Sequence, residues 1–159
     1  MFHSKEVTQY RKKLKSKYGI VLGKLLGYGS EGYVYQISKQ RVAKLTDNYT
    51  EAKFARRLMR HKKLPSFLPK IYKIIELTNP YGYDWIIVRE SIDDISDPGQ
   101  YAKLEGLTEW CILKKVVPTD LHPDNIGVRA RTGQLVIRDL GAIEPLNKYF
   151  VPTESWNKK

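Results

Sequence analysis

The sequence predicts a mixed α+β fold built around an antiparallel sheet of five strands. Segments rich in β-branched and aromatic residues recur through the first 90 positions, with turn-forming residues between them. One segment among them has the apolar spacing of a helix. At 159 residues the chain is long enough for one domain with its own core.

The elements are predicted in the following order. Residues 4–17 are rich in lysine and arginine and contain no glycine or proline, which predicts a basic helix outside the sheet. The predicted strands then cover residues 20–26, 33–37, 41–45, 71–77 and 85–90. The predicted helix between the third and fourth strands covers residues 51–61.

That helix has one apolar face, formed by Phe54, Ala55, Leu58 and Met59. Its candidate N-caps are Asp47, Asn48 and Thr50. A further helix is predicted at 96–115, from a serine and a proline at its start and apolar residues at helical spacing. A small hairpin is predicted between 126–129 and 135–138, and it places Asn125 and Asp139 at its open end.

Three glycines stand in the segment Gly27-Tyr28-Gly29-Ser30-Glu31-Gly32-Tyr33-Val34. This spacing lets a backbone turn lie against a polyphosphate without obstruction by side chains. A dinucleotide-binding turn with the same spacing would open a helix, whereas strand-like alternation follows here. The segment therefore predicts a hairpin over phosphates, and an ordinary glycine hairpin is the alternative.

A lysine and a glutamate follow at short distance. Lys44 lies in the strand-like segment Val42-Ala43-Lys44-Leu45, and Glu51 opens the predicted helix seven positions later. A long, flexible ammonium group is positioned by a carboxylate, so we expect an ion pair between these two side chains.

Two acidic motifs complete the series. The first is Asp120-Leu121-His122-Pro123-Asp124-Asn125, and the second is Asp139-Leu140-Gly141 after a short apolar run. With the upstream signals, their order over residues 20–144 resembles the protein-kinase-like superfamily. The first motif resembles the catalytic loop of aminoglycoside phosphotransferases and related atypical kinases.

The resemblance implies a protein-kinase-like fold in one reduced domain, 1–159. Residues 1–90 would form the N-lobe, with the five-stranded antiparallel sheet, one helix and the basic N-terminal helix. Residues 91–159 would form a strongly reduced C-lobe, because only eighteen residues follow Gly141. Pro118-Thr119 stands where eukaryotic protein kinases carry His-Arg, which argues against regulation by a phosphorylated activation loop.

The resemblance also implies roles for individual residues. Asp120 would orient the acceptor hydroxyl, while Asn125 and Asp139 would hold magnesium. Lys44, positioned by Glu51, would contact phosphates. The implied contacts to ATP are Gly27, Gly29, Ser30, Gly32, Val34, Ala43, Lys44, and Glu90 and Ile92 in the hinge. The structural alternative is that the two acidic motifs form ordinary turns.

Composition limits the setting and the partners. The chain has a formal net charge of +11, which would attract an acidic protein or a nucleic acid to a basic face. A solvated surface is the alternative meaning of such charge. The single cysteine, Cys111, excludes an internal disulfide, and no segment has the length and apolarity of a membrane span or signal peptide. A cytoplasmic protein is expected.

The sequence thus predicts an ATP- and magnesium-dependent phosphotransferase, acting on a protein serine or threonine hydroxyl, its own included. Two alternatives remain open. The chain could be a kinase-like binding module or inhibitor that acts on an acidic partner or nucleic acid, or it could be a small-molecule kinase. Its short C-terminal part disfavours the small-molecule alternative, because aminoglycoside-type enzymes usually build their substrate pocket from the helices that follow.

Overall fold

A computed structural model describes residues 4–29, 32–60, 67–79, 82–95, 116–118, 125–140 and 143–145. Over these residues the chain is an α+β protein with a five-stranded antiparallel sheet and two helices. The predicted α+β class is therefore confirmed. The chain divides into two compact units, of which the first comprises Met1–Ala52 and Ile71–Ser91 and the second comprises Lys53–Lys70 and Ile92–Lys159.

The predicted basic helix is present as α1 (Ser4–Tyr18). It ends at Gly19, whose φ of 66° is a conformation that glycine adopts without strain. The Gly19 amide donates to the Lys15 carbonyl at 3.2 Å and so caps the helix. Lys15 and Lys17 lie in the last turn, where positive charge interacts favourably with the helix dipole.

The sheet of the first unit consists of β1 (Leu25–Gly29), β2 (Gly32–Gln36), β3 (Arg41–Thr46), β4 (Ile71–Asn79) and β5 (Gly82–Glu90). Their spatial order is β1-β2-β3-β5-β4, and every neighbouring pair is antiparallel. The chain thus places β5 beside β3 and leaves β1 and β4 at the two edges. The last four predicted strands are confirmed, with ends that differ by a few residues.

The predicted first strand, 20–26, is wrong in its boundaries, because β1 begins only at Leu25. Leu22 is buried in the core of the unit, so its apolar character serves packing rather than a strand ladder. The Gly23 amide already donates to the Gln36 carbonyl at 2.7 Å, but an irregularity in register follows within β1. The run is therefore not a uniform strand, since Leu22 is buried in the core whereas Val21, Leu25 and Leu26 are exposed.

The core of the first unit lies between α1 and one face of the sheet. Its buried members are Tyr10, Leu14, Leu22, Tyr35, Ala43, Leu45, Ile75, Leu77, Ile86 and Val88. Arg11 fastens the helix beside this core, since its guanidinium donates to the Leu22 carbonyl at 2.7 Å and lies 4.9 Å from the centroid of the Tyr35 ring. The Tyr10 hydroxyl also donates to the buried Asp84 carboxylate.

The second helix, α2, spans Tyr49–Met59, and Asn48 is its N-cap. The Asn48 Oδ1 atom accepts a hydrogen bond from the Glu51 amide at 3.1 Å. The predicted apolar face is confirmed for its three other members, which are buried, but it is wrong for Met59. Met59 is 43% exposed, because it is the last residue of the helix and lies at the margin of the buried arc.

The described residues of the second unit contain two small sheets. In one, β6 (Asp93–Asp94), β8 (Ile126–Val128) and β9 (Leu135–Ile137) pair antiparallel in the order β6-β8-β9. In the other, β7 (Val116–Pro118) pairs antiparallel with β10 (Ile143–Pro145). The predicted hairpin of 126–129 and 135–138 is therefore confirmed as β8 and β9.

Close packing holds this hairpin. A Cβ atom added at Gly127 would lie 2.3 Å from Cγ2 of Ile92, so only glycine fits beside that side chain. The Ile137 amide donates to the Phe67 carbonyl at 2.8 Å, and the Arg129 guanidinium donates to the Leu68 carbonyl at 3.0 Å.

Some predictions fall outside the described residues. These are the helix at 96–115, the glycine-hairpin tip at 30–31 and the loop at 120–124. Neither of the two helices that the structure describes has the length and apolar character needed to cross a membrane.

Candidate functional site

Lys44 occupies the middle of β3, the central strand of the sheet. The register pairs it with Val34 on β2 and with Ile87 on β5. Residues directly opposite across antiparallel strands point to the same face, so these two apolar side chains flank Lys44. The Lys44 side chain is only 8% exposed, which is unusual for a lysine and requires a compensating partner.

Glu51, in the first turn of α2, is that partner. Lys44 Nζ donates to Glu51 Oε1 at 2.8 Å. The Thr46 hydroxyl donates to Glu51 Oε2 at 3.3 Å, and its oxygen accepts from the Asn48 amide at 3.0 Å. The predicted ion pair is therefore present, and both oxygens of the carboxylate are engaged.

Local sequence explains why the pair forms. Lys44 and Thr46 are two positions apart on a strand, so they share a face, while Asn48 ends the following turn and caps α2. The cap fixes the start of the helix, and Glu51 then faces the strand one turn later. Sequence reasoning missed Thr46, although its alternation with Lys44 would have identified it.

The energetics of the pair indicate orientation rather than net stabilisation. Removal of one partner from a buried ion pair costs about 3–5 kcal/mol, because a charge is left without compensation. Replacement of both partners by apolar residues of similar volume is often neutral or stabilising. A core built for stability alone would not need charged groups here.

The pleat of β3 changes one predicted assignment. Ala43 and Lys44 are both predicted nucleotide contacts, but successive residues of a strand point to opposite faces. Ala43 lies in the core beneath α1, on the face opposite Lys44. Val42 shares the face of Lys44 instead and is buried there.

The predicted glycine hairpin is formed by β1 and β2. Gly29 pairs with Gly32 at the end of the two strands next to the tip, and Gly27 pairs with Val34. Gly32 has a φ of 145°, and a Cβ atom there would lie 1.7 Å from the Leu45 carbonyl oxygen. Glycine at this position is therefore required by the close approach of β3. At Gly27 a Cβ atom would meet nothing within 4 Å, so packing does not explain that glycine.

The predicted hinge lies where the chain passes from the first unit to the second, between Ser91 and Ile92. The Glu90 carbonyl accepts a hydrogen bond from the Arg89 guanidinium at 3.0 Å, and the Ser91 amide donates to the Gln40 carbonyl at 2.8 Å. Ile92 is buried, with its side chain against β8. Contact of Glu90 and Ile92 with a nucleotide stays a prediction.

Asn125 and Asp139 lie together at the open end of the β8–β9 hairpin in the second unit. The Asn125 carbonyl accepts from the Arg138 amide at 3.0 Å and from the Asp139 amide at 3.4 Å. Both residues are half-buried, and the next side chain, Leu140, is buried. The hairpin thus brings the backbones of Asn125 and Asp139 together, as predicted from the positions of these two residues at its ends.

Binding of magnesium by Asn125 and Asp139 stays a prediction. An amide oxygen and a carboxylate oxygen are donors that magnesium accepts, with phosphate oxygens or water as its other ligands. Among the residues that the structure describes, no group of three or more His, Cys, Asp or Glu side chains could hold a metal ion. Nearby, Arg138 pairs with the exposed Asp94 at 2.6 Å. Asp120 lies outside the described residues.

No protein-family model matches the chain, and no curated protein matches its sequence.

Proposed function

We propose that this protein is an ATP- and magnesium-dependent phosphotransferase that acts on a protein serine or threonine hydroxyl, including its own. The observation that carries the proposal is the buried ion pair between Lys44 and Glu51, at 2.8 Å on the face of the five-stranded sheet opposite α1. We also propose that the protein is located in the cytoplasm, where nucleotide and magnesium are plentiful.

The ion pair supports nucleotide binding for a physical reason. The Glu51 carboxylate pairs with Lys44, and the Thr46 hydroxyl and the Asn48 cap hold that carboxylate in place. An ammonium group fixed in this way is suited to orient phosphate oxygens and to balance their charge.

The second unit contains two residues with hard oxygen donors. Asn125 and Asp139 would hold magnesium through their side-chain oxygens, and the hairpin fixes their backbones. When bound, the metal would neutralise charge on the transferred phosphoryl group. Asp120, five positions before Asn125, would orient the acceptor hydroxyl and take up its proton.

The test is intact-protein mass spectrometry after incubation with ATP and magnesium, followed by mapping of the modified residue. We expect the gain of phosphate on a hydroxyl side chain. Asp139→Asn removes a metal ligand and should slow this gain at least about a hundredfold. Asp93→Asn is the matched control, because Asp93 is an exposed aspartate of the same small sheet.

Asp120→Asn should likewise abolish transfer while leaving nucleotide binding intact, since its role is toward the acceptor. Gain of a nucleotide instead of phosphate would show a different transfer reaction. If the protein and added protein substrates gain neither, or if Asp139→Asn matches its control, the phosphotransferase proposal is refuted.

A further inference from the structure

The solvent side of α1 carries a dense set of positive charges. Tyr10 and Leu14 turn inward to the core, while four lysines are exposed on the remaining surface. We call this set the α1 basic face, and it consists of Lys12, Lys13, Lys15 and Lys17. The helix has 15 residues and is thus about 22 Å long, so the charges form an extended surface and not a point site.

These charges are poorly compensated within the helix. The only acidic residue of α1 is Glu6, in its first turn. Lys12 and Lys15 are three positions apart, and Lys13 and Lys17 are four apart, which places like charges next to each other on the helix surface. Such pairs destabilise a helix in isolation, and a bound polyanion would relieve their repulsion.

The positive surface continues onto the sheet. Lys73 pairs in register with Val88, a member of the core beneath α1, so both residues point to the α1 side of the sheet. The Lys73 ammonium lies 5.1 Å from the centroid of the Tyr18 ring, and the Lys17 ammonium lies 5.5 Å from the same centroid. Two exposed cations thus converge on one tyrosine.

Arg11 has a different role from these lysines. It is half-buried, and its guanidinium is held by the Leu22 carbonyl and the Tyr35 ring. The helix is therefore anchored by its arginine and its inward residues. Its lysines remain on the solvent side of a fixed scaffold.

We propose that the α1 basic face, extended by Lys73, binds the phosphate backbone of nucleic acid without reading its sequence. Over residues 8–18, where the structure describes the side chains of α1, the other exposed residues are polar: Thr8, Gln9 and Ser16. Lysine is depleted at protein–protein interfaces, which depend on apolar and aromatic anchors, so this composition suits repeated phosphates better than a folded protein. Insertion into a membrane surface would need apolar residues that α1 has buried in the core.

The test measures binding of a short fluorescent DNA duplex by anisotropy over a range of salt concentration. Each phosphate contact contributes about 0.9 to the slope of log K against log salt. The triple substitution of Lys12, Lys13 and Lys15 by Gln should therefore make the slope shallower by about 2.7. Glutamine has a helix propensity close to that of lysine, and circular dichroism checks that the helix is kept.

The matched control replaces Lys39, Lys53 and Lys70 by Gln, because these three lysines are also exposed and the change in net charge is the same. This control should change the slope by less than about 1. Substitution of the three α1 lysines by Arg should retain the slope, since charge is retained. Binding through this face does not require phosphoryl transfer, so Asp139→Asn should bind the duplex normally.

Three results would overturn the assignment. The first is an equal loss in the α1 variant and the control, which would indicate attraction by net charge alone. The second is no binding of the natural chain to duplex DNA or to single-stranded RNA at low salt. The third is binding to anionic lipid vesicles or to polyglutamate with no binding to nucleic acid, which would assign the face to another partner.

Discussion

The buried pair of Lys44 and Glu51 allows a double-mutant cycle whose outcome follows from its surroundings. Lys44→Met removes the cation that pairs with the buried Glu51 carboxylate, and Glu51→Leu removes the carboxylate from the ammonium buried between Val34 and Ile87. Each single substitution should lower the free energy of unfolding by about 3–5 kcal/mol. For a chain of this size, that corresponds to a fall in Tm of roughly 6–20 °C.

The double variant should be more stable than either single variant. With both charges removed, the remaining cost is the Thr46 hydroxyl, which loses its acceptor, and this cost is about 1 kcal/mol. The assay is urea unfolding monitored by circular dichroism, with m-values compared to exclude a change in the unfolded state. Lys39→Met, at an exposed lysine, is the control and should change stability by less than about 0.5 kcal/mol.

Two results would refute this reasoning. One is an additive cycle, in which the double variant loses the sum of the single losses, since additivity would mean that the two groups do not interact. The other is a single variant as stable as the natural chain. Phosphotransferase activity should be absent from all three variants. A double variant that is stable but inactive would show that the oriented Lys44 ammonium is needed for activity and not for stability.

Two of the three glycines in the hairpin, Gly32 and Gly27, should respond differently to alanine, and the helix cap offers a further test. Gly32→Ala should destabilise the protein by more than about 3 kcal/mol, because the new Cβ atom meets backbone at 1.7 Å and the φ of 145° is strained for alanine. Gly27→Ala should leave the Tm nearly unchanged but weaken nucleotide affinity measured by calorimetry, and equal thermal losses at the two positions would contradict this. Asn48→Ala should cost about 0.5–2 kcal/mol in urea unfolding, whereas Asn48→Asp should cost much less; equal losses would show that capping is not the cause.

The sequence predicted those parts of the fold whose local pattern matches their tertiary role. The basic helix, the four later strands and the β8–β9 hairpin combine periodicity with clear turn residues. The Lys44–Glu51 pair could be predicted because a strand and a capped helix start are seven positions apart. The two short apolar runs that form β8 and β9 likewise predicted that Asn125 and Asp139 lie together at the open end of the hairpin.

The failures arise where one pattern has two physical meanings. The run from residue 20 to 26 combines the buried Leu22 with the exposed Val21, Leu25 and Leu26, and its composition does not show where the strand begins. Ala43 and Val42 are both buried, and only the pleat shows which one shares a face with Lys44. Met59 continued the helical period, but the helix ends there.

The order in which the chain visits its two units has a practical consequence. It leaves the first unit after Ala52, returns at Ile71 and leaves again after Ser91. Neither unit can therefore be expressed as an uninterrupted fragment, and a single proteolytic cut cannot release one intact. Truncation to residues 1–91 would carry 53–70 without their native neighbours, so isolating the sheet requires a redesigned connection between Ala52 and Ile71.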